Sequence, residues 1–245
     1  MLRNKKTKFA GRLVSAAIYP VAAGFMPAAV RDGKKKATTA AMKRLNFKTS
    51  CEKLAGILAA NFERGDDVFV LTYDPANLPK NRDRVVADLK AFRGRAAKEW
   101  KRNGKPFRMA WSIEHRHGDG KWHIHAVANR LTGNDGMLLY KLWGKGTDFH
   151  FKHLRTDKQK NHIGLARYMA KESSDRENSR RAWSYTRNCL KPETEIDRNV
   201  GDETLQLPKG AILIEQESHT NEYGTWEYIR YYVPEDAPEG PPQAA

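Results

Sequence analysis

The stretch that decides the fold is FRMAWSIEHRHGDGKWHIHAVANR, residues 107–130. Residues 107–116 and 121–130 are both rich in side chains that favour β-strands. Between them, His117-Gly118-Asp119-Gly120 is typical of a hairpin turn. The stretch therefore predicts two neighbouring antiparallel strands whose two faces differ in chemistry.

The second predicted strand carries two histidines on one face. Successive side chains of a strand alternate, so His123 and His125 project to the same side. A four-residue loop places Glu114 opposite His123, and a two-residue turn places it opposite His125; both put the carboxylate on the histidine face. Such a set suits Mg²⁺ or Mn²⁺, and zinc also accepts it. We predict a metal site of these three residues, with His115 and His117 as weaker alternative ligands.

A helix predicted over residues 161–172 carries a candidate nucleophile. Tyr168 and Lys171 are three positions apart and are therefore neighbours on the helix surface. Ala166 and Ala170 belong to a separate apolar stripe that can pack on the sheet. A phenol is a poor nucleophile at its reference pKa of about 10, but a nearby ammonium stabilises the phenolate or the developing phosphate charge. We expect Tyr168 to attack and Lys171 to assist.

The remaining elements predict an α+β protein with a mainly antiparallel sheet. Apolar side chains at helical spacing predict two further helices, and two apolar runs with a turn between them predict a hairpin near the end of the chain. These elements are a helix over residues 38–62, a strand over 68–73, a helix over 82–102, and a hairpin formed by 211–217 and 225–233.

Three motifs in this order resemble those of the HUH endonucleases, within them the single-tyrosine initiators of rolling-circle replication in plasmids and phages. The motifs are the strand at 68–73, Glu114 with His123-x-His125, and Tyr168-x-x-Lys171. The resemblance covers residues 34–192. It implies a ferredoxin-like HUH nuclease fold, with a central antiparallel sheet flanked by helices, and a Mg²⁺ or Mn²⁺ ion held by the two histidines and the acid.

The same resemblance implies a reaction. Tyr168 would nick single-stranded DNA at an origin and leave a 5′-phosphotyrosine and a free 3′-hydroxyl for a host polymerase. The tyrosine follows the histidines here, whereas it precedes them in relaxases. The sequence contains no G-x-x-x-x-G-K-[ST] motif, so a host helicase would have to unwind the duplex.

The charge distribution predicts a polyanionic partner. The formal net charge of the 245 residues is +15, while residues 193–245 hold 12 acidic and 3 basic side chains, so the positive charge is concentrated before them. We expect cations to follow the phosphates of single-stranded origin DNA and two aromatic side chains to stack on its bases. The candidates are Arg108, Arg116, Lys121, Arg180, Arg181, Trp183 and Tyr185.

The expected organisation has four parts. They are a basic N-terminal arm (1–36), the endonuclease domain (37–192), an acidic segment with a β-hairpin (193–233) and a disordered tail (234–245). The apolar stretch at 13–30 is interrupted by prolines and too short to span a membrane, so we expect a strand or a packed arm there, no membrane partner, and a cytoplasmic protein.

Other functions remain open at this point. One is a non-catalytic DNA-binding replication accessory protein, and another is a transposase or relaxase-type strand transferase. A third is a phosphoesterase that uses water as the nucleophile. The sequence does not decide the oligomeric state or the role of the C-terminal hairpin.

Overall fold

Ten β-strands and four α-helices make up the part of the chain that the structure describes. The structure is a computed structural model and describes residues 2–21, 39–115, 121–146, 148–155, 161–171, 181–235 and 237. The strands are β1 (Leu2–Ala10), β2 (Leu13–Val21), β3 (Asp67–Leu71), β4 (Met109–Glu114), β5 (His123–Ala128), β6 (Phe149–His153), β7 (Ser184–Tyr185), β8 (Glu193–Asp197), β9 (Ile212–Asn221) and β10 (Gly224–Tyr232). The helices are α1 (Ala40–Asn61), α2 (Arg82–Arg102), α3 (Gly136–Trp143) and α4 (Ile163–Ala170), and a short 3-10 helix spans Pro75–Asn77.

The chain divides into two units. The central unit contains residues 46–157 and 162–190, and the terminal unit contains residues 1–45, 158–161 and 191–245. The predicted α+β class and antiparallel pairing are confirmed, but the strands form two five-stranded sheets instead of one. Among the described helices, none is both long and apolar enough to cross a lipid bilayer.

The sheet of the central unit has the strand order β6-β3-β5-β4-β7, and every pair is antiparallel. Helices cover both of its faces. In β3, Phe69 and Leu71 belong to the core that includes α2 and α3, while Val68 packs against the core that includes α1 and α4. Because both faces of β3 are covered, the strand is a continuous apolar run without the alternation of a half-exposed strand.

Helix α2 matches its predicted range. It begins after Asn81, whose side chain accepts a hydrogen bond from the backbone N–H of Arg84 at 3.0 Å, as an N-cap should. Its buried stripe contains the four predicted apolar residues, Val85, Leu89, Phe92 and Trp100, together with Ala96 and Asp88. The helix therefore presents one apolar face to the sheet and leaves its cations outside.

Helix α1 confirms its predicted position only in part. Leu54, Leu58 and Phe62 are buried as expected. Met42 and Leu45 are 54% and 62% exposed. The helical spacing of apolar residues thus identified the helix correctly, but only its second half is covered by a core.

The first residues of the chain correct the expectation of a basic arm over residues 1–36. Residues 2–21 form β1 and β2, joined by a tight turn at which Gly11 has φ of 59°. Alternate residues of β2, among them Val14, Ala16 and Ile18, are buried. The basic residues of β1 hid this period of two, and the alternative of a strand was the right one for residues 13–21.

The sheet of the terminal unit has the strand order β8-β1-β2-β10-β9. Its core includes Val14 and Ala16 from β2 and Ile229 and Tyr231 from β10. The predicted C-terminal hairpin is confirmed, since β9 and β10 pair directly. Nearly all of the expected tail, residues 234–245, lies outside the described residues, and the expected domain boundaries remain a prediction.

A buried carboxyl group begins β3. Asp67 is fully buried, and neither of its carboxyl oxygens has a hydrogen-bond partner among the described residues. Burial, followed by the charges of Asp135 and Asp66, raises the pKa of Asp67 to about 7. The His153 ring nitrogen at 4.0 Å is half-exposed, which limits how far it can stabilise the carboxylate.

Asp67 should make the protein less stable as the pH rises. Its folded-state pKa lies above the unfolded value near 4, so the stabilising contribution of the protonated form is present below pH 4 and is lost as the pH approaches 7. We expect Asp67→Asn to remove up to about 1.4 kcal/mol of this loss per pH unit. Urea unfolding of both proteins at several pH values between 4 and 7.5 measures the difference; parallel pH profiles would contradict the assignment.

Candidate active site

The three predicted metal ligands come together through strand pairing. Glu114 at the end of β4 lies directly opposite His123 at the start of β5, and Ser112 lies opposite His125. This is the register expected for a four-residue loop, although residues 116–120 themselves lie outside the described part. His125 and Glu114 are each 4% exposed, so a polar pair stands at the edge of a buried sheet face.

Helix α4 brings the candidate nucleophile to this face. Ala166 and Met169 pack in the core that also contains Ala110 of β4 and Val127 of β5. Ala166 and Ala170 are fully buried, which confirms the predicted apolar stripe. Small side chains let the helix lie close to the sheet, and Tyr168, on the neighbouring stripe, stays 48% exposed.

The predicted catalytic and metal-binding side chains form one cluster. Nε2 of His125 lies 2.5 Å from Oε2 of Glu114, and Nζ of Lys171 lies 2.8 Å from Oε1 of the same carboxylate. The Tyr168 ring meets the His125 ring edge-on, with 4.9 Å between centroids. Nζ of Lys171 is 5.0 Å from the Tyr168 ring centre, and the His123 and His125 rings are 6.5 Å apart.

The charges of this cluster compensate one another. Burial acts to raise the pKa of Glu114, but the hydrogen bonds from Lys171 and His125 outweigh it and hold that pKa below its ordinary value. Burial lowers the pKa of His125, against the raising effect of Glu114. At neutral pH the cluster is therefore a carboxylate, a neutral imidazole and an ammonium.

The residue types fit a divalent cation, while their present contacts use the carboxylate otherwise. Two imidazoles and a carboxylate are suitable donors, and Nδ1 of His125 is buried without a hydrogen-bond partner among the described residues. Both oxygens of Glu114 are engaged, one by Lys171 and one by His125. Within the described residues, no group of three His, Cys, Asp or Glu side chains is arranged to hold a metal ion.

A cavity of about 740 Å³ opens beside the cluster and shows residues that the sequence analysis missed. His123, His125 and Tyr168 line it together with Asp148, His150 and Lys152 from β6 and the loop before it. Antiparallel pairing through Val70 of β3 places His150 in one row with His125. The alternation of Phe149 and Phe151 with His150 and Lys152 was the available signal for a half-exposed strand.

The predicted DNA-binding residues are spread over the central unit. Arg181 and Tyr185 line a second cavity, described below, whereas Arg108 and Lys121 line neither cavity. Trp183 packs against the core of α1 and α4, and its indole N–H donates to the Ser50 hydroxyl at 3.0 Å, so it is anchored as a structural residue. Arg116 and Arg180 lie outside the described residues.

The fold and this cluster define an α+β protein that carries a His-Glu-Lys-Tyr cluster on an antiparallel sheet. Residues 67–177 match the model of a family of replication-associated proteins, described as the ORF2 type. The matched stretch contains all five side chains of the cluster and supports a Rep-type protein with a role in replication initiation. Comparisons with curated proteins and with solved structures gave no match.

Close packing of α4 can be tested by two substitutions on the same helix. Ala166→Leu adds volume to a fully buried position and should destabilise the protein by about 1–3 kcal/mol. Gly164→Ala adds a methyl group where no atom lies within 4 Å and should stabilise it by up to about 1 kcal/mol. Urea unfolding measures both changes; a harmless Ala166→Leu would mean that α4 is not held against the sheet.

Proposed function

We propose that the protein nicks single-stranded DNA at a replication origin, with Tyr168 as the nucleophile. The observation that carries the proposal is the position of the Tyr168 ring, which lies edge-on to His125 with 4.9 Å between ring centres while the side chain stays 48% exposed. An attacking phenol must be reachable by a phosphate and close to groups that stabilise charge. The match to a replication-associated family supports origin DNA as the substrate.

The proposed step is a transfer of one phosphodiester. Oη of Tyr168 forms a bond to the scissile phosphorus, and the bond from phosphorus to the 3′ oxygen breaks. The phenol loses its proton and the 3′ oxygen gains one, so that a 5′-phosphotyrosine and a free 3′-hydroxyl result. The hydroxyl would prime a host polymerase, and a host helicase would open the duplex.

The neighbouring side chains have separate roles in this proposal. Lys171, 5.0 Å from the Tyr168 ring centre, stabilises the developing negative charge of the phenolate and the phosphate. His123, His125 and Glu114 would hold Mg²⁺ or Mn²⁺, which polarises the scissile phosphate when bound. The exposed His150 and Lys152 of β6 line the same cavity and would hold the strand in place.

A non-catalytic DNA-binding protein is the second candidate. One observation favours it: Glu114 is already paired with Lys171 at 2.8 Å and with His125 at 2.5 Å. Such a closed set of contacts satisfies a buried carboxylate without any metal ion. A replication accessory protein with this site would bind origin DNA and leave it uncut.

A covalent adduct separates the candidates. Incubation with a single-stranded origin oligonucleotide and Mn²⁺ should give a protein–DNA adduct that denaturing electrophoresis detects, because the phosphotyrosine bond survives denaturation. Tyr168→Phe and chelation by EDTA should each abolish the adduct. Tyr140→Phe is the matched control, since it removes a hydroxyl from α3 and should leave the adduct intact.

The other results of the same assay are equally informative. Cutting that persists in Tyr168→Phe would indicate a phosphoesterase that uses water. Binding without cutting or adduct, with the origin oligonucleotide and metal present, would leave the accessory protein. Either result would overturn the proposed nucleophile.

Lys171 provides a test of the metal site. Its ammonium competes with a cation for the carboxylate of Glu114, so Lys171→Met should bind Mn²⁺ about tenfold more tightly but form the adduct at least about tenfold more slowly. Glu114→Gln should weaken Mn²⁺ binding. Calorimetry gives the affinities and quenched time courses give the rates; unchanged Mn²⁺ affinity in both variants would place the ion elsewhere.

A further inference from the structure

A second, larger groove lies on the opposite face of the central sheet. Ser112 and Glu114 of β4 project to the candidate active site, so Trp111 between them projects to the other side. Trp111 lines a groove of about 1090 Å³ between α2 and the residues around β7. No side chain of the candidate active site lines this groove.

The described lining of the groove is cationic. Its charged side chains are Lys90, Arg93, Lys101, Lys105, Arg181 and Arg187, and none of the described lining residues is acidic. Six like charges on one concave surface repel one another in the absence of a partner. Their concentration in the groove indicates a polyanionic ligand.

Arg93 and Trp111 form the centre of the groove. The guanidinium carbon of Arg93 lies 4.3 Å from the Trp111 ring centre, a cation–π arrangement. Nε of Arg93 is buried and has no hydrogen-bond partner among the described residues, and burial lowers the pKa of Arg93. A phosphate would provide the missing acceptor and the missing counter-charge.

The floor of the groove is built from small residues on α2. Gly94 and Ala97 are exposed and lie between Lys90 and Lys101 along one side of the helix. A Cβ added at Gly94 would meet no atom within 4 Å. Glycine inside a helix is unfavourable by about 1 kcal/mol relative to alanine, and here it leaves open space beside the cations where a ligand can approach the helix closely.

We propose that this groove binds the backbone of single-stranded DNA, at a segment separate from the one that reaches Tyr168. Its volume is comparable with pockets that hold small ligands, so it accepts a few nucleotides of one strand and excludes a duplex. The half-buried Trp111 ring offers a surface for a base, as aromatic residues do in single-strand grooves. The match to a replication-associated family favours DNA over RNA. The groove does not depend on cleavage at Tyr168.

Substitutions at Gly94 test the groove with little risk to the fold. Gly94→Glu places a carboxylate among the cations, and Gly94→Gln is the matched control of equal size and no charge. In the full-length protein with EDTA, Gly94→Glu should bind a labelled thymidine oligonucleotide about tenfold more weakly than Gly94→Gln. Lys141→Glu on α3, which lines neither cavity, should bind like the wild type.

The salt dependence gives an independent measure. Replacement of Lys90 and Lys101 together by alanine should reduce the slope of log K against log salt by about 1.4, the value for two lost phosphate contacts to a single strand. Fluorescence anisotropy at several salt concentrations provides the slope. An unchanged slope would overturn the proposal.

Parallel arms identify the ligand and separate this proposal from the proposed nicking. Equal affinities of Gly94→Glu and Gly94→Gln for the oligonucleotide would overturn it, and so would a difference confined to duplex DNA or to RNA of the same sequence. The Gly94 pair is also measured in the Tyr168→Phe background. A charge effect there supports the groove even if no covalent adduct ever forms, whereas an adduct without a charge effect supports nicking alone.

Discussion

The buried carboxylate of Glu114 constrains the site more than any other group. A carboxylate that is 4% exposed is costly unless it is paired and hydrogen-bonded. Strand register places it opposite His123, His125 donates to one of its oxygens, and Lys171 must approach to satisfy the other. Because Lys171 follows directly after α4, this ion pair fixes the end of the helix and with it the Tyr168 ring. The packing of Ala166 and the pairing of β4 with β5 serve the same arrangement.

One sheet organises two surfaces of different character. The face that carries α4 presents a small cluster of opposite charges, suited to chemistry on one phosphate. The face that carries α2 presents cations without described acidic neighbours, suited to a run of phosphates. Alternation along β4 assigns Glu114 to the first face and Trp111 to the second. A protein that cuts a strand must also hold it, and the two faces divide these tasks.

Much of the central unit could be predicted because local patterns coincide with its tertiary contacts. The range of α2, the pairing of Glu114 with His123 and the stripe of Ala166 all followed from periods of 3.6 and 2. Other features depend on distant contacts that a local pattern does not contain. The contribution of His150 requires knowing that β6 pairs with β3, and β1 joins a sheet with strands nearly two hundred residues later in the chain. The Lys171–Glu114 ion pair was also missed, since both residues were assigned to other partners.

The central claim is that the Tyr168 oxygen becomes bonded to DNA. Peptide mass spectrometry of the protein after reaction with origin DNA and nuclease trimming addresses it at the level of one atom. The account predicts a nucleotide 5′-phosphate on the peptide that contains Tyr168, with fragment ions assigning the added mass to that side chain. A nucleotide on another tyrosine, or cut DNA whose 5′ phosphate is free, would contradict it.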